Sequence, residues 1–140
     1  MRIGLICSSA AYGRIPEIAR ELTAMGHTPV MPNCYDDPVG HDDTEQMDEQ
    51  TYLSFFRAMY LQSRDRTGEV DAVLALNYPK EKNGQVRENY VGASTFLELY
   101  EAFMQEKKIF LLFGLPDSML LDEIRGFGPV LLNGDLSGIG

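Results

Sequence analysis

Three short apolar runs constrain this chain most: residues 2–7 (Arg-Ile-Gly-Leu-Ile-Cys), 71–76 (Asp-Ala-Val-Leu-Ala-Leu) and 109–113 (Ile-Phe-Leu-Leu-Phe). Each is apolar at successive positions instead of alternating with polar residues. Such a strand needs cover on both faces, as in a parallel sheet flanked by helices. Helical spacing fills the intervals. Ile15, Ile18, Ala19, Leu22 and Met25 share one face, and Gly26 follows as a C-terminal stop. Residues 49–64 repeat the pattern with Leu53, Phe56, Met59 and Tyr60, and residues 95–105 and 120–125 form two further helical segments. Residues 28–31 read as a strand stopped by Pro32, and residues 129–132 as a last strand. Residues 33–48 and 77–89 are polar and read as loops. This order predicts one domain over residues 1–140: an α/β, flavodoxin-like three-layer sandwich around a mostly parallel five-stranded sheet.

A chain of 140 residues can bury an independent core. Its 21 acidic and 12 basic residues leave a formal charge of −9. That balance argues against nucleic acid and anionic membranes as partners, because both select cationic surfaces. No apolar run approaches the roughly 20 residues of a membrane span. The first apolar stretch is too short for a secretory leader, and Cys7 and Cys34 form no framework, so the expected location is cytoplasmic with free thiols.

Ligands of open α/β sheets lie beyond the carboxyl ends of the strands. Two such ends carry polar loops here. The first, Ser8-Ser9-Ala10-Ala11-Tyr12-Gly13, has neither GxGxxG nor GxxxxGK[ST], which argues against a dinucleotide or a triphosphate cradle. The second leads through Tyr90-Val91-Gly92-Ala93-Ser94-Thr95-Phe96-Leu97-Glu98 into a helix. Glu98 therefore stands in the opening turns of a helix at a ligand position. It can be a nucleophile or base there, or it can compensate the helix dipole for about 0.3–1 kcal/mol. Ser94 or Thr95 can cap the same helix.

The pattern Asp-Ala-Val-Leu-x-Leu-Asn, then Tyr-Val-Gly-x-x-Thr-Phe-Leu-Glu, then Lys-Lys-Ile-Phe-Leu-Leu resembles the nucleoside 2-deoxyribosyltransferase-like superfamily. The likeness runs from the first strand to Asn133-Gly134-Asp135-Leu136 and is nearest to small prokaryotic members. It implies chemistry at an N-glycosidic bond of a nucleoside or nucleotide. Glu98 matches the family's nucleophile, and Asp71 its aspartate at the start of the third strand. Ser8, Ser9 and Tyr12 match the loop holding the sugar or its phosphate. Asn77, Gly92, Ser94 and Thr95 complete the substrate-binding candidates. No metal or redox cofactor is implied, because a covalent glycosyl intermediate supplies the two-step route. The resemblance also implies a homo-oligomer. One departure stands out. The classical transferases carry a base-handling aspartate six residues before the nucleophile, where this chain has Gly92. Three readings follow: a transferase, a nucleoside 5′-monophosphate N-glycosidase, or a nucleotide-binding module without turnover.

The other polar features read as solvated surface. His27 precedes a strand and fits packing better than catalysis. His41 lies among Asp36, Asp37, Asp42, Asp43 and Glu45 without calcium-loop spacing. Lys80, Lys82 and Arg87 lie in the second polar loop, either solvated or over a substrate phosphate. Tyr52, Phe55, Phe56 and Tyr60 exceed what one core-facing stripe needs, and predict a helix–helix contact between subunits.

Overall fold

A computed structural model describes residues 1–140. Strand β1 (Arg2–Ile6) leads through a 3₁₀ segment (Ser9–Arg14) into helix α1 (Ile15–Ala24) and strand β2 (Thr28–Val30). Helices α2 (His41–Glu45) and α3 (Glu49–Gly68) precede the central strand β3 (Ala72–Ala75). A hairpin, β4 (Lys80–Lys82) and β5 (Gln85–Arg87), intervenes before helix α4 (Ala93–Met104). Strand β6 (Lys108–Leu111), helix α5 (Leu121–Gly126) and strand β7 (Val130–Leu131) complete the chain with a last 3₁₀ turn (Leu136–Gly138).

The main sheet has five strands in the order β2-β1-β3-β6-β7, and every pairing in it is parallel. Leaving aside the hairpin, this is the flavodoxin-like order. The continuous apolar runs are explained by cover on both sides. Ala72 and Leu74 of β3 and Leu76 just after it join one buried cluster, with Ile15, Ile18 and Leu22 of α1. Val73 and Ala75 join the other, with Leu99 and Ala102 of α4 and Ile124 of α5. Strands β1 and β6 divide the same way: Ile3, Leu5 and Phe110 against Ile6, Ile109 and Leu111. Helix α1 thus covers one pleat face, and α4 with α5 the other.

Local chemistry sets the boundaries. Gly26 ends α1 at φ 91°, and His27 N–H reaches back to the Leu22 carbonyl at 2.9 Å. Asp48 caps α3 by accepting from Thr51 N–H at 2.7 Å. Helix α3 runs to Gly68, four residues past the expected end at 64. Residues 33–48 are not wholly loop: Asp43 accepts from Gly40 N–H at 2.9 Å and holds the short α2. Residues 77–89 are not wholly loop either. Asn83 and Gly84 both take positive φ, 55° and 76°, the turn that closes a two-residue hairpin. No helix is long and apolar enough to cross a membrane.

Candidate functional site

The chain leaves β1 toward β2 on one side and continues the sheet at β3 on the other. The loops at the carboxyl ends of β1 and β3 therefore diverge and leave a crevice, the usual ligand position of such sheets. A cavity of about 710 Å³ opens there. That volume is in the range of small-molecule sites, roughly 300–1,000 Å³.

Each wall comes from a different element. The loop after β1 contributes Ser8, Ser9 and Tyr12, and the start of α4 contributes Gly92, Ser94, Thr95 and Glu98. The segment after β2 adds Asn33 and Cys34, and α2 adds His41 and Thr44. Helix α3 supplies an apolar wall of Phe55, Phe56, Met59 and Tyr60. Tyr90 and Tyr100 border the cavity from the α4 side. Seven residues expected around the substrate thus converge: Ser8, Ser9, Tyr12, Gly92, Ser94, Thr95 and Glu98.

Two expected residues lie elsewhere. Asp71 precedes β3 at its amino end, where its carboxylate accepts from Arg2 N–H at 2.8 Å. The four-residue strand puts it roughly 13 Å from the carboxyl end that carries the cavity, at about 3.3 Å per residue. Asp71 fastens the edge of β1 to β3 and does not position the sugar or the nucleophile. Asn77 is at the correct end of β3 but is 1% exposed and turned into the protein. Its Nδ2 donates to the Gly114 carbonyl at 2.8 Å and its Oδ1 accepts from Phe113 N–H at 3.0 Å. Both ends of the amide are satisfied by the chain leaving β6, so Asn77 is a brace and not a ligand contact.

Glu98 lies in the second turn of α4, and no acid occupies the first. Dipole compensation is therefore not its role, since that effect fades beyond the first turn. Its partner is Arg66 of α3, which also donates through Nη1 to the Met31 carbonyl at 2.8 Å. The two side chains are 14% and 10% exposed, so this is a buried ion pair. Burial pushes the Glu98 carboxyl above its ordinary value, and Arg66 opposes that shift without cancelling it. Burial, reinforced by Glu98, pushes the neighbouring Cys7 thiol up to about 12, which leaves it protonated and unreactive. Tyr12 is likewise pushed up to about 12 by burial, and its hydroxyl donates to the Asn33 carbonyl at 3.0 Å.

The cap of α4 is Gly92, not Ser94 or Thr95, and no side chain caps the helix. Its first N–H groups are left to water or a ligand at the cavity edge. Asn33 Oδ1 in the opposite wall is the one buried side-chain polar atom without a partner. His41 bonds Glu45 at 2.8 Å, and nowhere do three His, Cys, Asp or Glu side chains gather for a metal ion.

Arg66 and Asn33 were not legible as site residues. Arg66 lies beyond the expected helix end at 64. Only the longer α3 brings it against α4. The aromatic wall was visible as an excess of rings on one helix, though its direction was not. No family model, no curated protein and no solved structure matches the chain.

Proposed function

We propose that the chain acts on the N-glycosidic bond of a nucleoside or nucleotide, with Glu98 as nucleophile. The observation that carries this reading is the desolvated Glu98 carboxylate in a nucleotide-sized, aromatic-walled cavity at the switch point of the sheet. A carboxylate oxygen of Glu98 attacks the anomeric carbon. The C–N bond breaks, its electron pair leaves with the base, and the base takes up a proton. Water or a second base then displaces Glu98 and frees the sugar or forms a new nucleoside. The transition state is oxocarbenium-like, so a carboxylate beneath the ring stabilises it before bonding begins. Ser8, Ser9 and the first turn of α4 would bind the sugar, and Phe55, Phe56 and Tyr60 would stack the base.

The ion pair with Arg66 favours a second reading. A carboxylate already committed to a guanidinium is a weaker nucleophile, and a binding module without turnover would tolerate it. Base release separates the two. Chromatography after incubation with 2′-deoxynucleosides and 5′-monophosphates should show free base with the wild type, and at least about a hundredfold less with Glu98→Gln. Tight binding with no base release from any of them would select the module.

The same reading makes the protein a cytoplasmic homo-oligomer. Free Cys7 and Cys34 suit a reducing compartment. Helix α3 spans 20 residues yet buries only Thr67, and it leaves Tyr52, Leu53, Tyr60 and Leu61 exposed. An apolar face of that kind supports a contact between subunits.

A further inference from the structure

We infer that one face of the β4–β5 hairpin is an anion subsite at the cavity mouth, receiving the phosphate of a phosphorylated ligand. The sugar's placement over Glu98 rests on the function proposed above. The charge on the hairpin does not depend on it.

Strand pairing sets Lys80 opposite Arg87 and Lys82 opposite Gln85. Residues directly opposite in an antiparallel pair share a face, and so do alternate residues along a strand. Lys80, Lys82 and Arg87 therefore stand together, while Glu81 and Val86 take the other face. Like charges directly opposite each other destabilise a ribbon. No carboxylate pairs with them. The four ion pairs are Arg14–Glu17, His41–Glu45, Arg64–Asp65 and Arg66–Glu98. So a molecule with a net charge of −9 holds three cations on one hairpin face, none of them in an ion pair.

The face is also tied to the cavity. The Lys80 and Lys82 ammonium groups stand 5.0 and 5.9 Å from the centre of the Tyr90 ring. Tyr90 borders the cavity, and a Cβ on Gly92 would lie 3.2 Å from its hydroxyl. Gly92 begins α4, whose uncapped N–H groups face the same edge. The path from Glu98 to the lysines thus runs along α4's first turns, past Gly92 and over Tyr90. An anion on that path meets a helix N-terminus and then two ammonium groups. The Ser8–Ser9 loop, half-buried at Ser8 and exposed at Ser9, offers hydroxyls without positive charge.

Calorimetry on wild type and Lys80→Gln/Lys82→Gln tests the assignment. The probes are the four common 2′-deoxynucleosides, their 5′-monophosphates and inorganic pyrophosphate. The subsite requires that the 5′-phosphate tighten binding of the preferred nucleoside at least about tenfold in the wild type. The double variant should lose that gain to within about twofold and keep its nucleoside affinity. Ser8→Ala/Ser9→Ala should keep the gain. A gain that survives in the lysine variant, or no gain at all, overturns the subsite while nucleoside binding leaves the proposed function standing. Conversely, lysine-dependent pyrophosphate binding with no affinity for any nucleoside or monophosphate upholds the subsite and removes the proposed function.

Discussion

Glu98 is held by two opposing effects, and its chemistry follows from their balance. Burial favours the protonated acid and Arg66 favours the anion; burial dominates, so the folded value exceeds the ordinary 4.5. A nucleophile must be ionised, so base release should rise with pH along an acidic limb whose midpoint lies above 4.5. The folded protein also holds this proton more tightly than the unfolded chain. Stability should therefore fall as pH rises from 4.5 through the folded value, then level off. Replacing Arg66 with Met leaves Glu98 buried without a partner. The limb should then move to higher pH, and a limb that stays in place would make Arg66 a bystander. Glu98→Ala is the poorer probe. It strands a buried guanidinium, for which breaking a buried pair costs about 3–5 kcal/mol, well above the dipole effect expected of a first-turn acid. The buried thiol gives an independent check. With its pKa near 12, Cys7 should resist iodoacetamide at pH 8 in the folded protein and react once the chain is unfolded. At this scale seven of the nine expected residues line the cavity. Glu98 and the Ser8–Ser9 loop face the cavity because they follow strand ends. Asp71 and Asn77 flank the same strand, but one sits at its wrong end and the other points inward. Sequence position says nothing about which way an amide turns.

At the scale of elements, the strands were the easiest to read, because a double-sided run of apolar residues has few other uses. The hairpin was missed although Asn83-Gly84 is a strong turn signal. Its flanking strands are three residues each and carry charge in place of alternating apolar residues, so the usual pattern is absent. Helix α3 was found, but its end and its direction were not. Phe55 and Phe56 are half-buried against the cavity, so Phe55→Asp would damage the pocket whether or not subunits meet there. Leu53, 58% exposed and not part of the cavity lining, separates the two effects. If α3 joins subunits, the wild type should elute above monomer mass at micromolar concentration, and Leu53→Asp should shift it down without loss of fold. A wild-type monomer would remove the interface, and an unaffected oligomer would move it elsewhere.

At the scale of the whole molecule, sheet order decides where chemistry can occur. The reversal between β1 and β3 separates two loops, and every converging polar group reaches the cavity from a segment that begins at a strand's carboxyl end or packs over it. That much followed from the alternation of apolar runs and helices. The buried Arg66–Glu98 pair did not, because it joins residues 32 apart on two helices whose packing no local pattern encodes. The central claim is a covalent bond between Glu98 and a sugar. A 2′-fluoro nucleoside or its 5′-monophosphate tests it, since fluorine beside the anomeric carbon slows formation and breakdown of an oxocarbenium-like centre. After incubation and rapid acid quench, peptide mass spectrometry should find the fluorosugar attached to the fragment carrying Glu98, and to no other. Base release from the same probe with the sugar on another residue, or with no adduct at any time point, would contradict the account.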